Sequence, residues 1–512
     1  MVRSRLEINI ARVSLILVAA YFMFALIIPV FSIGFQFENI SEFVEALTSS
    51  STVSALKITW LQSTVSTIGS LLLGCLGAIL LYKLKIQSPL FDWLLSIPYT
   101  TPTIVAAFTW VLILGKTGPL GFLDISYSII AVIVAHVALN TPLVTLSIHQ
   151  AMTSCPTDEI DSAQSLCPNE FSVIRRYWLP RLRSSLIFVG SQVFSLCATS
   201  FIIVMVLGGG PPIETLETGI FTRIRFGDPQ WSAAAALAIW QLVLCIGPAL
   251  LIFKKYRPRR LENPRNKPNI KWTSSILALL IVSPFALVYF LPYLSKSFLE
   301  RSALSPELLH SFLLALADSV AVAIVSCLFA GLASLLIYAS ALKYSGAHRV
   351  LLLLAQVPSG VSTLILCLGV WFSYGSWIDP FEGRVLMIGL IQSILMMPFI
   401  IRSLSSSIYG TQLQALEEAR SLGASFLFSL KAMIWPQFRR SILYVFTVSA
   451  GISFSEIAAV SFFSAESFTP LPLLMARFLS QYRFAEAEFI GLSILLIAVS
   501  ISSLQFWIGK KR

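Results

Sequence analysis

The residues of this chain that could do chemistry are few, and most are sunk in apolar runs. Glu456 stands in Ser453-Phe454-Ser455-Glu456-Ile457, and Asp318 in Leu316-Ala317-Asp318-Ser319. A charge at the centre of a membrane-crossing helix costs roughly 2.5–3.5 kcal/mol on insertion scales, so such a group faces a cavity, a partner or a ligand. The chemistry open to these carboxylates is attraction of a cation, and both are candidates for a translocation path. Ser200, which lies 256 positions before Glu456, and Asn140 complete the candidate path. His136, His149, Lys57 and Arg402 are also at membrane depth, where a helix–helix hydrogen bond or snorkelling is the simpler reading. No Ser/His/acid grouping or metal constellation rises above background, so no covalent chemistry, catalytic residue or metal ligand is expected. Gly115-Lys116-Thr117 imitates the end of a phosphate-binding loop, but Trp110 stands where the first glycine is required.

A second constellation is a segment that occurs twice. Asp161-Ser162-Ala163-Gln164-Ser165-Leu166-Cys167 runs on to Pro180, and Glu417-Glu418-Ala419-Arg420-Ser421-Leu422-Gly423 runs on to Pro436. At an offset of 256, Ala163, Ser165, Leu166 and Pro180 recur as Ala419, Ser421, Leu422 and Pro436. Asp161 and Glu417 suit a helix N-terminus, where negative charge complements the dipole. Gly423 permits a tight turn or a close backbone contact. The residues that follow can form a short helix presenting Phe171, Phe426 and Phe428 to a groove on a partner. An ordinary connector does not explain two similar copies at corresponding positions.

The elements that position these residues follow from composition. The chain has 512 residues, 56% hydrophobic and 12% charged, with a mean hydropathy of +0.82. Soluble domains carry about a quarter charged residues, so most of this chain lies in lipid. Twelve apolar runs are long enough to cross a bilayer: about 13–33, 56–82, 93–115, 126–150, 184–207, 231–253, 273–294, 311–340, 350–374, 386–406, 441–463 and 487–508. Hydrocarbon offers the backbone no partners, so each should be a helix, and the fold class is an all-α membrane protein. The first run has no small-residue cleavage site and is longer than a secretory core, so it reads as a retained span.

Six spans fall on each side of a basic, proline-rich stretch. The expected organisation is a first domain over 1–253, a cytoplasmic linker over 254–272 and a second domain over 273–512. Thr59 and Pro98 pair with Ser319 and Pro358 at an offset of 260, before the offset settles to 256. Parallel repeats of this kind carry substrate between them. The net charge of +11 invites a nucleic-acid partner. However, most of the 36 Lys and Arg fall in segments that are cytoplasmic if the N-terminus is, which is the positive-inside pattern with both termini inside. Acidic stretches in the outside loops, 38–47, 213–228 and 466–482, are either solvated connectors or a docking surface. The seven cysteines show no metal spacing or disulfide framework and read as small packers.

The repeated segment resembles the motif shared by permease subunits of ATP-binding-cassette importers: Glu-Ala-Ala, three residues, Gly, nine residues, an aliphatic, one residue, then Leu-Pro. The second copy matches at Glu417, Glu418, Ala419, Gly423 and Pro436, with Trp435 where Leu is usual. The first is degenerate, with Asp161, Ser162, Ala163, Cys167 in place of Gly, and Leu179-Pro180 intact. The twelve-span layout is similar to the two-domain permeases of the thiamine and ferric-iron import class. Leu207-Gly208-Gly209-Gly210-Pro211, Thr215 to Phe221, Ala135-His136-Val137 with Asn140 and Pro142, Phe468 to Leu474, and Gln481-Tyr482-Arg483 carry that likeness.

The resemblance implies two tandem six-helix type I permease domains in a bacterial inner membrane. It implies coupling loops at 158–180 and 414–436, each seated in one of two copies of a cytoplasmic ATPase that holds ATP and Mg, with no cofactor on this chain. It also implies an external solute-binding protein, lipid as the surrounding partner, and no nucleic acid. Thiamine leads as solute, drawn by the carboxylates and by Trp110, Trp240 or Trp371 through cation–π contact. Ferric iron or another small solute is the alternative, and a twelve-span secondary transporter is the rival class.

Overall fold

The computed structural model describes residues 2–33, 40–86, 88–210, 213–255, 305–341, 361–379, 382–397, 421–424, 435–465 and 467–510, with isolated positions at 276, 282–283, 287–290, 305, 358 and 400. The chain is an all-α membrane protein. Among the described residues the only extended pairing is an isolated bridge between Ala465 and Phe468. In chain order the helices are α1 (Val2–Phe22), α2 (Ile28–Ser32), α3 (Ile40–Thr48), α4 (Ser50–Lys83), α5 (Pro89–Thr100), α6 (Thr103–Leu114) and α7 (Ile129–Thr153). Next come α8 (Thr157–Leu166), α9 (Glu170–Val173), α10 (Leu179–Ala198), α11 (Ile202–Leu207), α12 (Leu216–Arg225) and α13 (Trp231–Lys255). The second half contributes α14 (Pro306–Ala341), α15 (Thr363–Tyr374), α16 (Arg384–Leu395), α17 (Trp435–Ser455), α18 (Ala458–Phe462), α19 (Leu471–Ser480) and α20 (Phe484–Lys510).

Among the described residues, five helices are long and apolar enough to cross a membrane: Arg12–Ser32, Ser50–Lys83, Ile129–Thr153, Pro306–Tyr338 and Phe484–Leu504. α5 and α6 together make a sixth, and shorter apolar helices account for several of the remaining expected spans. The run at 273–294 falls almost wholly outside the described residues, as does the linker beyond Lys255.

Three expected spans are broken rather than straight. α5 meets α6 at 78°. Pro102 has no amide hydrogen, and the residue before a proline is pushed from helical to extended backbone, as Thr101 is at φ −66°, ψ 127°. The run at 184–207 divides into α10 and α11, and the run at 441–463 into α17 and α18. Two helices instead widen by one residue before a proline. Ile28 donates to Met23 five residues back, ahead of Pro29, and Leu179 donates to Ile174, ahead of Pro180. Each proline leaves a carbonyl without its usual partner, and a π-turn takes up the register.

The repeat is visible element by element. α6 and α15 start 260 residues apart, α10 and α17 256, α11 and α18 256, and α12 and α19 255. The compact units, however, are not the two sequence halves. One unit holds 1–49, 220–239 and 300–512; the other holds 50–219 and 240–299. Within the first, α1 packs on α14 and α2 on α15. The Tyr21 and Ser393 hydroxyls are hydrogen-bonded at 2.6 Å, Ser32 Oγ donates to the Gly369 carbonyl at 3.1 Å, and Tyr374 Oη donates to the Phe24 carbonyl at 2.6 Å. Gly369 allows the approach, because a Cβ there would strike the Pro29 carbonyl. Within the second unit α4 and α7 form the principal helix pair, drawn together where Gly74 faces Val144. Ile68, Leu72 and Leu76 on α4, and Ile324, Leu328 and Leu332 on α14, form outward apolar stripes at four-residue spacing.

Candidate functional site

The first copy of the repeated loop folds as a helix, a turn and a second helix. α8 starts directly after Pro156, whose missing amide hydrogen costs nothing at a helix start. Its first turn carries Asp158 and Glu159. Asp161, expected at the N-terminus, therefore lies one turn further on and is exposed. Ser162 Oγ donates to the Asp158 carbonyl at 2.7 Å, and Ser165 Oγ to the Asp161 carbonyl at 2.9 Å. Ala163 is half-buried and its carbonyl accepts from the Cys167 amide at 3.1 Å, which ends the helix. Asn169 then caps α9, its Oδ1 accepting from the Ser172 amide at 2.8 Å. Pro180 is the second residue of α10, as Pro436 is of α17. Glu417, Glu418, Ala419, Phe426, Phe428 and Arg402 lie outside the described residues.

α8 turns apolar side chains toward water. Leu166 is 83% exposed and Phe171, on α9, is 71% exposed. Leu422, the repeat counterpart of Leu166, is 88% exposed. α8 also exposes Asp158, Glu159 and Asp161, so this face does not lie in lipid. Apolar groups beside exposed charge mark a surface for a partner.

The loop is tied to its bundle lightly. Lys83 on α4 meets Glu170 at 2.7 Å and Arg181 meets Glu159 at 3.2 Å, exposed pairs worth about 0.2–1 kcal/mol each. Tyr177 Oη donates to Glu159 at 3.3 Å. Burial above all, with Cys155 and Glu159 beside it, holds the Tyr177 phenol above its usual range, so it serves as a neutral donor. Between the loop and the bundle lies a cavity of about 1760 Å³, bordered by Tyr82, His149, Asp161, Cys167 and Trp178. Light ties over an open space leave α8 free to shift as a unit.

The path candidates sit at the helix breaks. α10 stops at Ala198, and side-chain amides take up the freed carbonyls. Gln62 Nε2 donates to Cys197 O at 2.8 Å, and Gln241 Nε2 donates to Ala198 O at 2.8 Å. Gln62 Oε1 in turn accepts from His136 Nδ1 at 3.0 Å. Asn140 is buried on α7, its amide donating to His136 O at 2.8 Å and reaching Cys197 Sγ at 3.5 Å. Ser200 lies half-buried in the break itself. The structure thus gathers Asn140 and Ser200 at one broken helix end.

Glu456 lies in the corresponding break. Its Oε1 accepts from the Ala458 amide and its Oε2 from the Ala459 amide, both at 2.9 Å. It is an acidic cap on α18, where charge and dipole agree. Gln392 and Thr363 flank the carboxylate. Asp318 is not beside it: its Oδ2 accepts from the Thr469 amide at 2.8 Å, fixing the loop that leads into α19. That loop is held again by Arg225 to Ser464 Oγ at 2.9 Å and by Arg477 to Thr469 Oγ1 at 2.8 Å. Of the aromatic candidates, Trp110 is buried and Trp371 packs on Phe462 and Phe463 at centroid distances of 6.1 and 6.3 Å. Sequence reasoning passed over Gln62 and Gln241. Their signal was an amide side chain inside a long apolar run, the same signal that drew attention to Asn140.

Residues 70–263 match the family model described as the inner membrane component of binding-protein-dependent transport systems. The chain is 27% identical over 472 residues to the thiamine transport system permease protein of Haemophilus influenzae, covering 86% of this chain and 85% of that protein. It is 22% identical over 420 residues to the thiamine transport system permease protein of Escherichia coli, covering 77% of each. A sulfate transport system permease protein of Salmonella typhimurium is 24% identical over 237 residues, matching 44% of this chain and 84% of its own length. That relative is the length of one half here, as the internal repeat requires.

Proposed function

From the premise that this chain is a permease of the binding-protein-dependent import class, multi-pass in the inner membrane, we propose that its solute is thiamine. The observation that carries the solute is likeness across more than three quarters of the chain to thiamine permeases of similar length. In this reading an external binding protein delivers the solute, and two copies of a separate cytoplasmic ATPase, holding ATP and Mg, dock on the loops at 158–180 and 414–436. Both termini are cytoplasmic, and lipid surrounds the apolar stripes.

The roles follow from the geometry. Asp161, Ser162, Ala163, Cys167 and Pro180 shape the first docking loop; Glu417, Glu418, Ala419, Gly423 and Pro436 shape the second. Leu166 and Leu422 supply apolar contacts to the ATPase. ATP binding closes the ATPase pair and shifts the loops, and hydrolysis resets them. The ATPase can drive the switch only by preferring one access state over the other. Glu456, Asp318, Ser200 and Asn140 are the proposed path residues. Helix breaks suit this role because unwound backbone at membrane depth is tolerated where it lines a cavity or is buried in protein.

The test is uptake of labelled thiamine under thiamine limitation, in cells with the gene deleted and restored. Loss on deletion and recovery on restoration is the expected result. Unchanged uptake would remove thiamine and send the same assay to ferric iron.

A further inference from the structure

The pairing of Thr59 with Ser319 in the repeat has a structural counterpart. Thr59 is fully buried on α4, and its Oγ1 accepts a hydrogen bond from the Leu216 amide at 2.9 Å. Ser319 is buried on α14, and its Oγ accepts from the Leu471 amide at 2.8 Å. Leu216 and Leu471 are the first residues of α12 and α19. The first amides of a helix have no partner within it, so an acceptor brought from another helix fixes both the position and the direction of the short helix. Thr59 also donates to the Ala55 carbonyl at 2.7 Å, which orients its lone pairs. Thr215 and Thr218 satisfy neighbouring first-turn amides of α12 among themselves, leaving Leu216 to Thr59. The same bond is made twice although the hydroxyl residue and the approaching loops differ.

α4 spans 34 residues, about 50 Å at 1.5 Å per residue. Its far end carries Lys83, paired with Glu170 of the docking loop. One rod thus holds the docking loop at one end and α12 near the other. We infer that Thr59 and Ser319 are paired positioning residues that latch α12 to α4 and α19 to α14, so that each long span and its short helix move as one body during transport. The coupling role rests on the permease reading; the latch itself does not.

The experiment uses the whole transporter, with its ATPase and solute-binding protein, in proteoliposomes. Hydrogen–deuterium exchange is followed in peptides covering Leu216 and Leu471, and solute moved per ATP hydrolysed is measured alongside. Thr59→Val and Ser319→Ala remove the acceptor, while Thr59→Ser and Ser319→Thr keep it; Thr59→Ala stands in if Thr59→Val does not fold. Expected is exchange at the matching helix start roughly three- to ten-fold faster, the loss of one ordinary hydrogen bond, with a lower transport-to-hydrolysis ratio, both restored by the hydroxyl-keeping variants. Unchanged exchange overturns the latch. Faster exchange with an unchanged ratio overturns its role in transport, as does a ratio that falls only in step with thermal midpoint. If the unaltered chain moves no solute, the permease reading fails, and the exchange arm alone still decides the latch.

Discussion

Cys167 and Gly423 occupy the same place in the two docking loops yet lie in different regions of backbone space: Cys167 is extended at φ −102°, and Gly423 is left-handed at φ +89°. The first loop has therefore lost its glycine at a position where its backbone no longer needs one. In the second loop the glycine is required by conformation and not by crowding, since nothing lies within 4 Å of a Cβ built there.

Gly423→Val should consequently strain the second loop by roughly 1–2 kcal/mol, the cost of a side chain in left-handed backbone. Hydrolysis measured against transport should show uncoupling, with membrane insertion intact. Gly423→Asn, whose side chain tolerates this backbone, should lie close to the unaltered protein, and Cys167→Ala should be near neutral. Normal coupling in Gly423→Val would count against the assignment of the loop.

Leu166 and Leu422 are the apolar groups most exposed on the docking loops. Leu166→Asp or Leu422→Asp should weaken retention of the ATPase on co-purification about tenfold, and the pair together should do more. One buried leucine side chain is worth about 1.5–3 kcal/mol. Equal recovery of ATPase with both variants would place docking elsewhere.

Glu456 has two proposed duties that its variants separate. Glu456→Ala removes a cap and should cost about 1–2 kcal/mol, read as a lower thermal midpoint of the purified transporter. Glu456→Gln keeps one acceptor and loses the charge, so the midpoint should fall less, while KM for a cationic solute rises severalfold. An unchanged KM in that variant would leave Glu456 as a cap alone.

Gln62→Leu should destabilise by about 1–3 kcal/mol, because the Cys197 carbonyl and the His136 ring both lose their partner in a buried setting. Gln241→Leu, which strands only the Ala198 carbonyl, should cost less. Thermal melts of the two variants and their double check the order.

Residue pattern carried some of this architecture and was blind to the rest. The repeat was legible because Ala163, Leu166 and Pro180 recur at a constant interval, and the interval survives in the helix starts. Hydropathy could not show the break after Ala198, because the run through Phe201, Ile202 and Ile203 stays apolar; the helix ends where Gln62 and Gln241 arrive from distant segments to receive its carbonyls. The bend at Thr101 did have a local cause in Pro102, which a count of apolar residues ignores. Asp318 and Glu456 were rightly singled out as costly, but only the fold shows that backbone amides answer both.

The interleaving of the two compact units bears on how the chain is made. α2 ends at Ser32 and its packing partners begin with α14 at Pro306, so more than 270 residues separate them. At typical synthesis rates of roughly 5–20 residues per second, the first span waits on the order of 15 to 55 seconds in the membrane before its neighbours emerge. During that interval Tyr21 and Ser32 face lipid or a chaperone in place of α15 and α16. The gene therefore cannot be cut at the basic linker into two pieces that each mature alone, and the amino-terminal piece would have to be supplied alongside the carboxyl-terminal one for either unit to close.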